Sequence, residues 1–133
     1  VRPMTSVEQE RFERGALVFR DLCSTCHQAS GRGQAGMAPP LRGSEWVFGS
    51  EDILVRILAH GLHGPIRVDG KEWDMEMPAF AGSPEEVASI LTYIRREWGH
   101  GADPVTAESV ERILEECGPR ADAWTAAELD ELR

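Results

Sequence analysis

The pentapeptide Cys23-Ser24-Thr25-Cys26-His27 decides the fold of this 133-residue chain. Its C-x-x-C-H spacing is typical of covalent haem attachment. Two thiols three positions apart, near the end of a helix, can each add to one of the two haem vinyl groups. His27 then reaches the iron from the same side and becomes the proximal ligand. The motif therefore predicts one haem c, attached through Cys23 and Cys26.

Two other uses of a C-x-x-C pair are weaker interpretations of this stretch. A redox dithiol usually opens a helix after a strand, whereas here a helical pattern precedes Cys23. A structural zinc site needs a second pair of Cys or His ligands at similar spacing. The third cysteine, Cys117, stands about ninety residues downstream without such a pair. With two cysteines used by haem, no disulfide framework is implied.

Length and charge favour a single small domain that binds neither nucleic acid nor anionic lipid. A chain of 133 residues has a small core, to which a buried porphyrin would add apolar surface. The net charge of −9 excludes partners that are themselves strongly acidic, and it suits a redox partner with a basic patch. The chain contains no apolar run long enough to span a membrane.

The beginning of the chain indicates a mature or trimmed polypeptide. Val1-Arg2-Pro3 contains neither an initiating Met nor the apolar core of a signal peptide. A removed signal or a lipid anchor is therefore compatible with the sequence.

Apolar periodicity and capping residues predict the helices. They cover residues 6–22, 51–60, 84–98, 106–117 and 124–129. The helix after Ser83 has the strongest signals, because Ser83 caps it, Pro84 takes the first position and Glu86 closes a capping box. Ser50 is the predicted cap of the second helix, and Ser6 that of the first.

The remaining stretches are irregular and divide the chain. Residues 28–49 are rich in Gly and Pro, and a loop of that length is unusual unless it wraps something such as a haem edge. Residues 64–82 are also irregular, with a tight turn at 68–71 that indicates a small hairpin. We expect a haem-binding domain at 1–101 and a helical C-terminal extension at 102–133 packed on its core. A linker toward a further domain is the alternative for the extension.

The second axial position of the iron has several candidate ligands. They are Met37, Met75, Met77, His60, His63 and His100. A Met thioether stabilises ferrous iron and raises the potential, which suits a one-electron carrier, whereas a second His would lower it. Met75 and Met77 stand two residues apart in a polar loop before a helix, and an extended backbone would place both on one side. Spacing alone does not decide which of Met75 and Met77 is the ligand.

Three further side chains are candidates to bind the haem propionates. Trp46 and Trp73 could each donate an indole N–H, because a buried Trp needs a hydrogen-bond partner. The alternative for both is packing at the haem edge with the N–H on a backbone carbonyl. Arg42 is another candidate, although a single Arg in a loop is usually solvated.

Over about residues 8–100 the chain resembles the class I c-type cytochromes. The matching elements are Gly15-x-x-x-Phe19, Cys23-x-x-Cys26-His27, Pro39-Pro40-Leu41, Met77-Pro78-Ala79-Phe80 and the helix with Leu91-Thr92-Tyr93-Ile94-Arg95. The resemblance implies an all-α cytochrome c fold, with three core helices around one covalently bound haem. It also implies that Gly15 and Phe19 pack against Tyr93 where the first and last core helices cross. The helices after residue 101 lie outside the resemblance.

The resemblance also implies the ligand set of the iron. It assigns the sixth position to Met77 rather than Met75, because Met77 directly precedes the proline. It implies that a backbone carbonyl of the Pro39-Pro40 pair, for which we choose Pro39, accepts the Nδ1 proton of His27. Such a bond fixes the ring tautomer and strengthens the ligand.

The function implied by this resemblance is one-electron transfer rather than enzymatic catalysis. We expect a monomeric carrier between a respiratory donor complex and a terminal oxidase or reductase, each docking transiently. Because haem c is attached outside the cytoplasm, we expect the periplasm or the outer face of the cytoplasmic membrane. One alternative is the haem c electron-entry domain of a larger periplasmic dehydrogenase or nitrite reductase. Another is an open-site peroxidase or gas sensor with His60 and His63 beside the iron.

Overall fold

The structure, a computed structural model, describes residues 1–132 and is largely helical. Its helices are α1 (Ser6–Val18), α2 (Ser24–His27), α3 (Glu45–Phe48), α4 (Glu51–His60), α5 (Pro84–Arg96), α6 (Ala107–Cys117) and α7 (Ala126–Asp130), with a π-helical turn at Phe19–Cys23. Strands β1 (Ile66–Val68) and β2 (Lys71–Trp73) form an antiparallel hairpin in which Ile66 lies opposite Trp73. None of the described helices is long and apolar enough to cross a membrane.

Helices α1 and α5 cross in direct backbone contact at Gly15. A Cβ added to Gly15 would lie 1.9 Å from the carbonyl oxygen of Ser89, so only glycine allows this approach. Beside the crossing, the rings of Phe19 and Tyr93 have centroids 5.2 Å apart. The predicted packing of Gly15 and Phe19 on Tyr93 is therefore confirmed.

An aromatic cluster extends this crossing beyond the predicted set of residues. Trp98 stands edge-on to both Phe19 and Tyr93, with centroid distances of 5.6 and 5.7 Å. The sequence predicted a helix through Trp98, but α5 ends at Arg96 and Trp98 has a φ of 57°. The extended backbone of the C-cap Glu97 ends the helix, and the left-handed conformation of Trp98 after it allows the indole to fold back onto the core.

Two other local predictions were wrong in detail. The N-cap of α1 is Thr5 and not Ser6, because the Glu8 carboxylate bonds the Thr5 N–H while the Thr5 hydroxyl accepts from the Glu8 N–H. The predicted loop 28–49 contains the short helix α3, which is capped by Ser44. A single helical turn is too short for apolar periodicity to reveal it.

Two hydrophobic clusters form the core. The first joins α1, α4, α5 and α6, and its completely buried members include Leu91, Val105, Val110 and Ile113. The second joins α4, the hairpin and α7 through Trp46, Ile53, Ile57, Leu62, Ile66, Val68, Trp73, Trp124 and Leu129. Residues beyond 101 therefore contribute to both clusters.

An ion pair fastens α1 to α5 and makes stability depend on pH. Arg11 donates from Nε and Nη2 to the two carboxylate oxygens of Glu85, at 2.7 and 3.2 Å. These bonds hold the pKa of Glu85 below its ordinary value of 4.5. A depressed carboxyl pKa contributes stability above pH 4.5, and this contribution is lost as the pH falls toward the lowered pKa.

We expect Glu85→Gln to lower the free energy of unfolding at pH 7 by about 1 kcal/mol, as for other partly exposed ion pairs. The difference from wild type should shrink as the pH falls below 4.5, because wild-type Glu85 then becomes protonated. Urea unfolding at several pH values measures this difference in the free energy of unfolding. Glu13→Gln, at an exposed position of α1, is the control of equal charge. A difference that grows toward acid pH would contradict the assignment.

Candidate functional site

The cysteine motif lies where two helical turns meet. Cys23 ends the π-helical turn, and Cys26 and His27 belong to the single turn α2. The Ser24 hydroxyl donates to the Arg20 carbonyl oxygen at 2.6 Å and joins the two turns. Both cysteine side chains are partly buried. Burial raises the pKa of the Cys23 thiol, and the neighbouring Cys26 raises it further. The thiols therefore stand one turn apart on a continuous helical backbone.

His27 is buried, and its ring orientation is determined by one hydrogen bond. Its Nδ1 lies 3.0 Å from the Pro39 carbonyl oxygen, and a carbonyl can only accept, so Nδ1 carries the proton. Burial lowers the pKa of His27, and the Pro39 bond offsets part of this effect. A neutral imidazole with Nε2 unprotonated is the form that binds iron. The geometry suits the predicted pairing of His27 with Pro39, whose role toward haem stays a prediction.

The position of Pro39 depends on Gly33, a residue that the sequence analysis did not single out. Gly33 has a φ of 70° and donates its N–H to the His27 carbonyl oxygen at 2.9 Å. A Cβ there would lie 2.4 Å from the Ala38 oxygen and 2.6 Å from the Pro39 carbonyl carbon. Gly33 therefore brings the Pro39 peptide against the haem motif, and its place in a Gly-rich loop was the available signal.

Met75 and Met77 differ in their surroundings. Met77 is partly buried and packs against both hydrophobic clusters, whereas the Met75 side chain is 37% exposed. The Met77 backbone pairs with Leu62, since the Met77 N–H donates to the Leu62 oxygen at 2.8 Å and the Leu62 N–H donates back at 3.0 Å. This paired, inward-facing position favours Met77 as the ligand.

The histidines considered for the sixth position lie in other environments. His100 uses both ring nitrogens: Nδ1 donates to the Ile94 carbonyl oxygen at 2.8 Å and Nε2 accepts from the Gly43 N–H at 3.0 Å. The Nδ1 of His60 accepts the Trp124 indole N–H at 3.2 Å. His63 is exposed on the surface. These contacts disfavour a bis-histidine iron.

The three candidate contacts of the haem propionates also lie in different environments. The indole N–H of Trp46 donates to the Arg67 carbonyl oxygen at 2.8 Å, which is the backbone alternative considered above. Trp73 is buried, and its Nε1 has no hydrogen-bond partner within residues 1–132. Arg42 is exposed. A buried N–H without an acceptor costs about 1–3 kcal/mol, so among these three candidates Trp73 is the one that most needs an acceptor from outside the chain.

These residues fit a covalently bound haem. The thiols of Cys23 and Cys26 can form two thioethers, and His27 and Met77 can supply a nitrogen and a soft sulfur ligand. The unpartnered indole N–H of Trp73 can donate to a propionate. Within the described residues, no group of three or more His, Cys, Asp and Glu side chains could hold a bare metal ion instead.

Comparison with known proteins agrees with this site. The sequence profile of the family described as Cytochrome c matches residues 12–98. The chain therefore belongs to the cytochrome c family, whose members are electron carriers rather than enzymes and bind haem c covalently. The helical structure with its small hairpin agrees with the fold of that family.

Individual relatives are of two kinds. Cytochrome c-552 of Thermus thermophilus is 35% identical over 109 residues, which cover 74% of this chain and 82% of that protein. The cytochrome c subunit of a quinone alcohol dehydrogenase from Gluconacetobacter polyoxogenes is 31% identical over 120 residues, 84% of this chain but 25% of the subunit. Subunit CcoP of a cbb3-type cytochrome c oxidase from Rhodobacter capsulatus is 29% identical over 107 residues, 77% of this chain and 35% of CcoP.

Proposed function

We propose that this protein is a one-electron carrier with His27 and Met77 as axial ligands and thioether bonds at Cys23 and Cys26. The observation that carries the proposal is the buried His27 with Nδ1 held by Pro39, which leaves Nε2 for the iron. When bound, haem c supplies reversible one-electron exchange between ferric and ferrous iron.

The chain's own residues would keep both axial positions of the iron occupied and the surroundings of the haem rigid. His27 is fixed in one tautomer by Pro39, and Met77 is held by its two backbone hydrogen bonds with Leu62. Trp73 would hold a propionate through its unpartnered indole N–H. Because neither ligand has to move, the reorganisation during electron transfer is small, and no substrate approaches the iron. Trp46 and Arg42 are the less favoured propionate contacts.

We propose that the partners are a respiratory donor complex and a terminal oxidase or reductase, met in the periplasm or at the outer face of the cytoplasmic membrane. The carrier would be monomeric, with or without a lipid anchor, and residues 1–101 would form the haem domain with 102–133 as its extension. Its net charge of −9 favours partners with a basic docking patch, which speeds encounter at low salt. The likeness to cytochrome c-552, which covers most of both chains, supports a separate carrier.

A second function is a haem c domain in a larger redox enzyme. The relatives named as dehydrogenase and oxidase subunits support it, since this chain matches about a quarter to a third of their length. The chemistry at the iron would be the same, but the partner would be fixed. The length of the encoding gene and the mass of the native protein distinguish the two functions.

The test is a potentiometric titration of the purified holoprotein, followed by exposure of the ferrous form to carbon monoxide. We expect one reversible one-electron step and no rapid binding of carbon monoxide, because Met77 occupies the sixth position. Rapid binding by the wild type would show an open iron, which is expected of a gas sensor or peroxidase and contradicts the carrier. Oxidation by a cationic metal complex should also slow as salt is added, whereas oxidation by an anionic complex should accelerate.

A further inference from the structure

A segment late in the chain pairs with the residues whose backbone holds Met77. Residues 118–130, here called the terminal segment, approach residues 61–63 through Trp124. The backbone N–H of Trp124 donates to the Gly61 carbonyl oxygen at 3.0 Å, and the backbone N–H of His63 donates to the Trp124 carbonyl oxygen at 2.9 Å. Since Leu62 pairs with Met77 through two further bonds, residues 61–63, here called the central segment, lie between Trp124 and Met77 and pair with each through an isolated β-bridge.

The central segment and the Met77 loop are in close backbone contact. Gly61 has a φ of 85°, and a Cβ there would lie 2.5 Å from the Met77 carbonyl oxygen and 3.1 Å from the Ala79 nitrogen. A shift of Gly61 toward the loop would therefore displace Met77 directly. The position of Met77 thus depends on whatever holds residues 61–63 in place.

Side chains fasten Trp124 to the core and the terminal segment to itself. Trp124 is 9% exposed, and its indole N–H donates to Nδ1 of His60 at 3.2 Å. The Arg120 guanidinium lies 3.5 Å from the centroid of the same ring. Arg120 also bonds the Glu128 carboxylate at 2.9 Å, and Leu129 is completely buried in the second cluster. The segment is therefore anchored on both sides of Trp124.

We propose that Trp124 is a positioning residue for the sixth ligand: by pairing with residues 61–63, it keeps the Met77 thioether on the iron. The inference rests on the proposed function, in which Met77 is that ligand. A thioether is a weak ligand, so the closed state depends on the loop being held in place. When the loop opens, the iron can bind another ligand, and the apparent affinity for that ligand is proportional to the open fraction.

The experiment compares Trp124→Ala with Ile113→Ala in the full-length holoprotein. Ile113 is completely buried on α6 in the first cluster, and truncations of buried Trp and Ile destabilise within overlapping ranges. The first readout is an optical titration of the ferric protein with imidazole. We expect Trp124→Ala to bind imidazole about tenfold more tightly than wild type, and Ile113→Ala to stay within about twofold. Equal tightening in both variants would overturn the proposal, because the effect would then follow global stability.

The second readout is amide hydrogen exchange at Leu62 and Met77, which does not depend on the identity of the iron ligand. In Trp124→Ala these two amides should exchange at least about tenfold faster, with the α5 amides changed less. Unchanged exchange at both would overturn the proposal. If Trp124→Ala does not fold, Arg120→Gln is the milder variant. We expect it to bind imidazole about threefold more tightly than wild type.

A double variant separates this inference from the proposed function. In a Met77→Ala background, Trp124→Ala should no longer change imidazole binding, because the thioether through which it acts is absent. A persistent tenfold effect would show that Trp124 acts by another route. If Met77→Ala leaves the iron–thioether absorption of the wild type intact, the proposed ligation fails by itself, and amide exchange still decides whether Trp124 holds the loop.

Discussion

We expect Met77→Ala to abolish the weak far-red charge-transfer band that iron–thioether ligation gives to ferric haem c. The ferrous variant should also bind carbon monoxide readily, and its reduction potential should fall, because the thioether preferentially stabilises ferrous iron. If the thioether occupies the iron about 99% of the time in wild type, the apparent affinity for carbon monoxide rises about 100-fold when it is removed. Absorption spectra, carbon monoxide titration and potentiometry measure the three effects.

Met75→Ala is the matched control for this experiment. It removes an equal thioether two residues away, from a side chain that is 37% exposed. We expect its spectrum, potential and carbon monoxide binding to match those of wild type. Loss of the band in Met75→Ala alone would exchange the roles of the two methionines. Absence of the band from wild type itself would contradict thioether ligation altogether.

Gly15→Ala should have the largest effect on stability. In an exposed helix this substitution stabilises by about 1 kcal/mol, because Ala is the better helix former. Here the added Cβ would lie 1.9 Å from the Ser89 carbonyl oxygen, which belongs to the backbone of α5 and cannot rotate away. The helices must then separate, so we expect a net loss of about 3 kcal/mol. Guanidinium unfolding of the holoprotein, followed by circular dichroism, measures the change.

Glu13→Ala, at an exposed position of the same helix, is the control for Gly15→Ala. It should change the free energy of unfolding by less than about 0.5 kcal/mol. A stabilised Gly15→Ala variant would mean that α1 and α5 do not cross in contact.

Local patterns predicted most of the helices because their signals lie within a few residues of one another. Ser83, Pro84 and Glu86 place the start of α5 correctly, and Ser50 caps α4 as predicted. The hairpin at 66–73 also follows from its turn. The misplaced cap at Ser6 has a local cause: Thr5 and Glu8 have the T-x-x-E spacing of a capping box, and Arg2, six residues before Glu8, binds its carboxylate at 2.9 Å.

Trp46 and Trp73 show what local sequence patterns cannot predict. Trp46 and Trp73 are equivalent in sequence, because each is an aromatic residue in an irregular region with one N–H to satisfy. The fold gives Trp46 an acceptor, the carbonyl of Arg67, twenty-one positions away, and leaves Nε1 of Trp73 without one among the described residues. No local pattern encodes that difference, because it depends on how the hairpin lies against α3.

By itself, the sequence determined the chemistry that needs only neighbouring residues: the two thiols and imidazole of the haem motif, and the family with its cofactor. The tertiary structure alone decided what depends on segments brought together from far apart. It packs Met77 against both hydrophobic clusters and exposes Met75, orients His27 through Pro39, and joins Trp124 to Met77 through Leu62. The physical reason is that these relations are made by backbone carbonyls and N–H groups, which every residue has and which only the fold brings together.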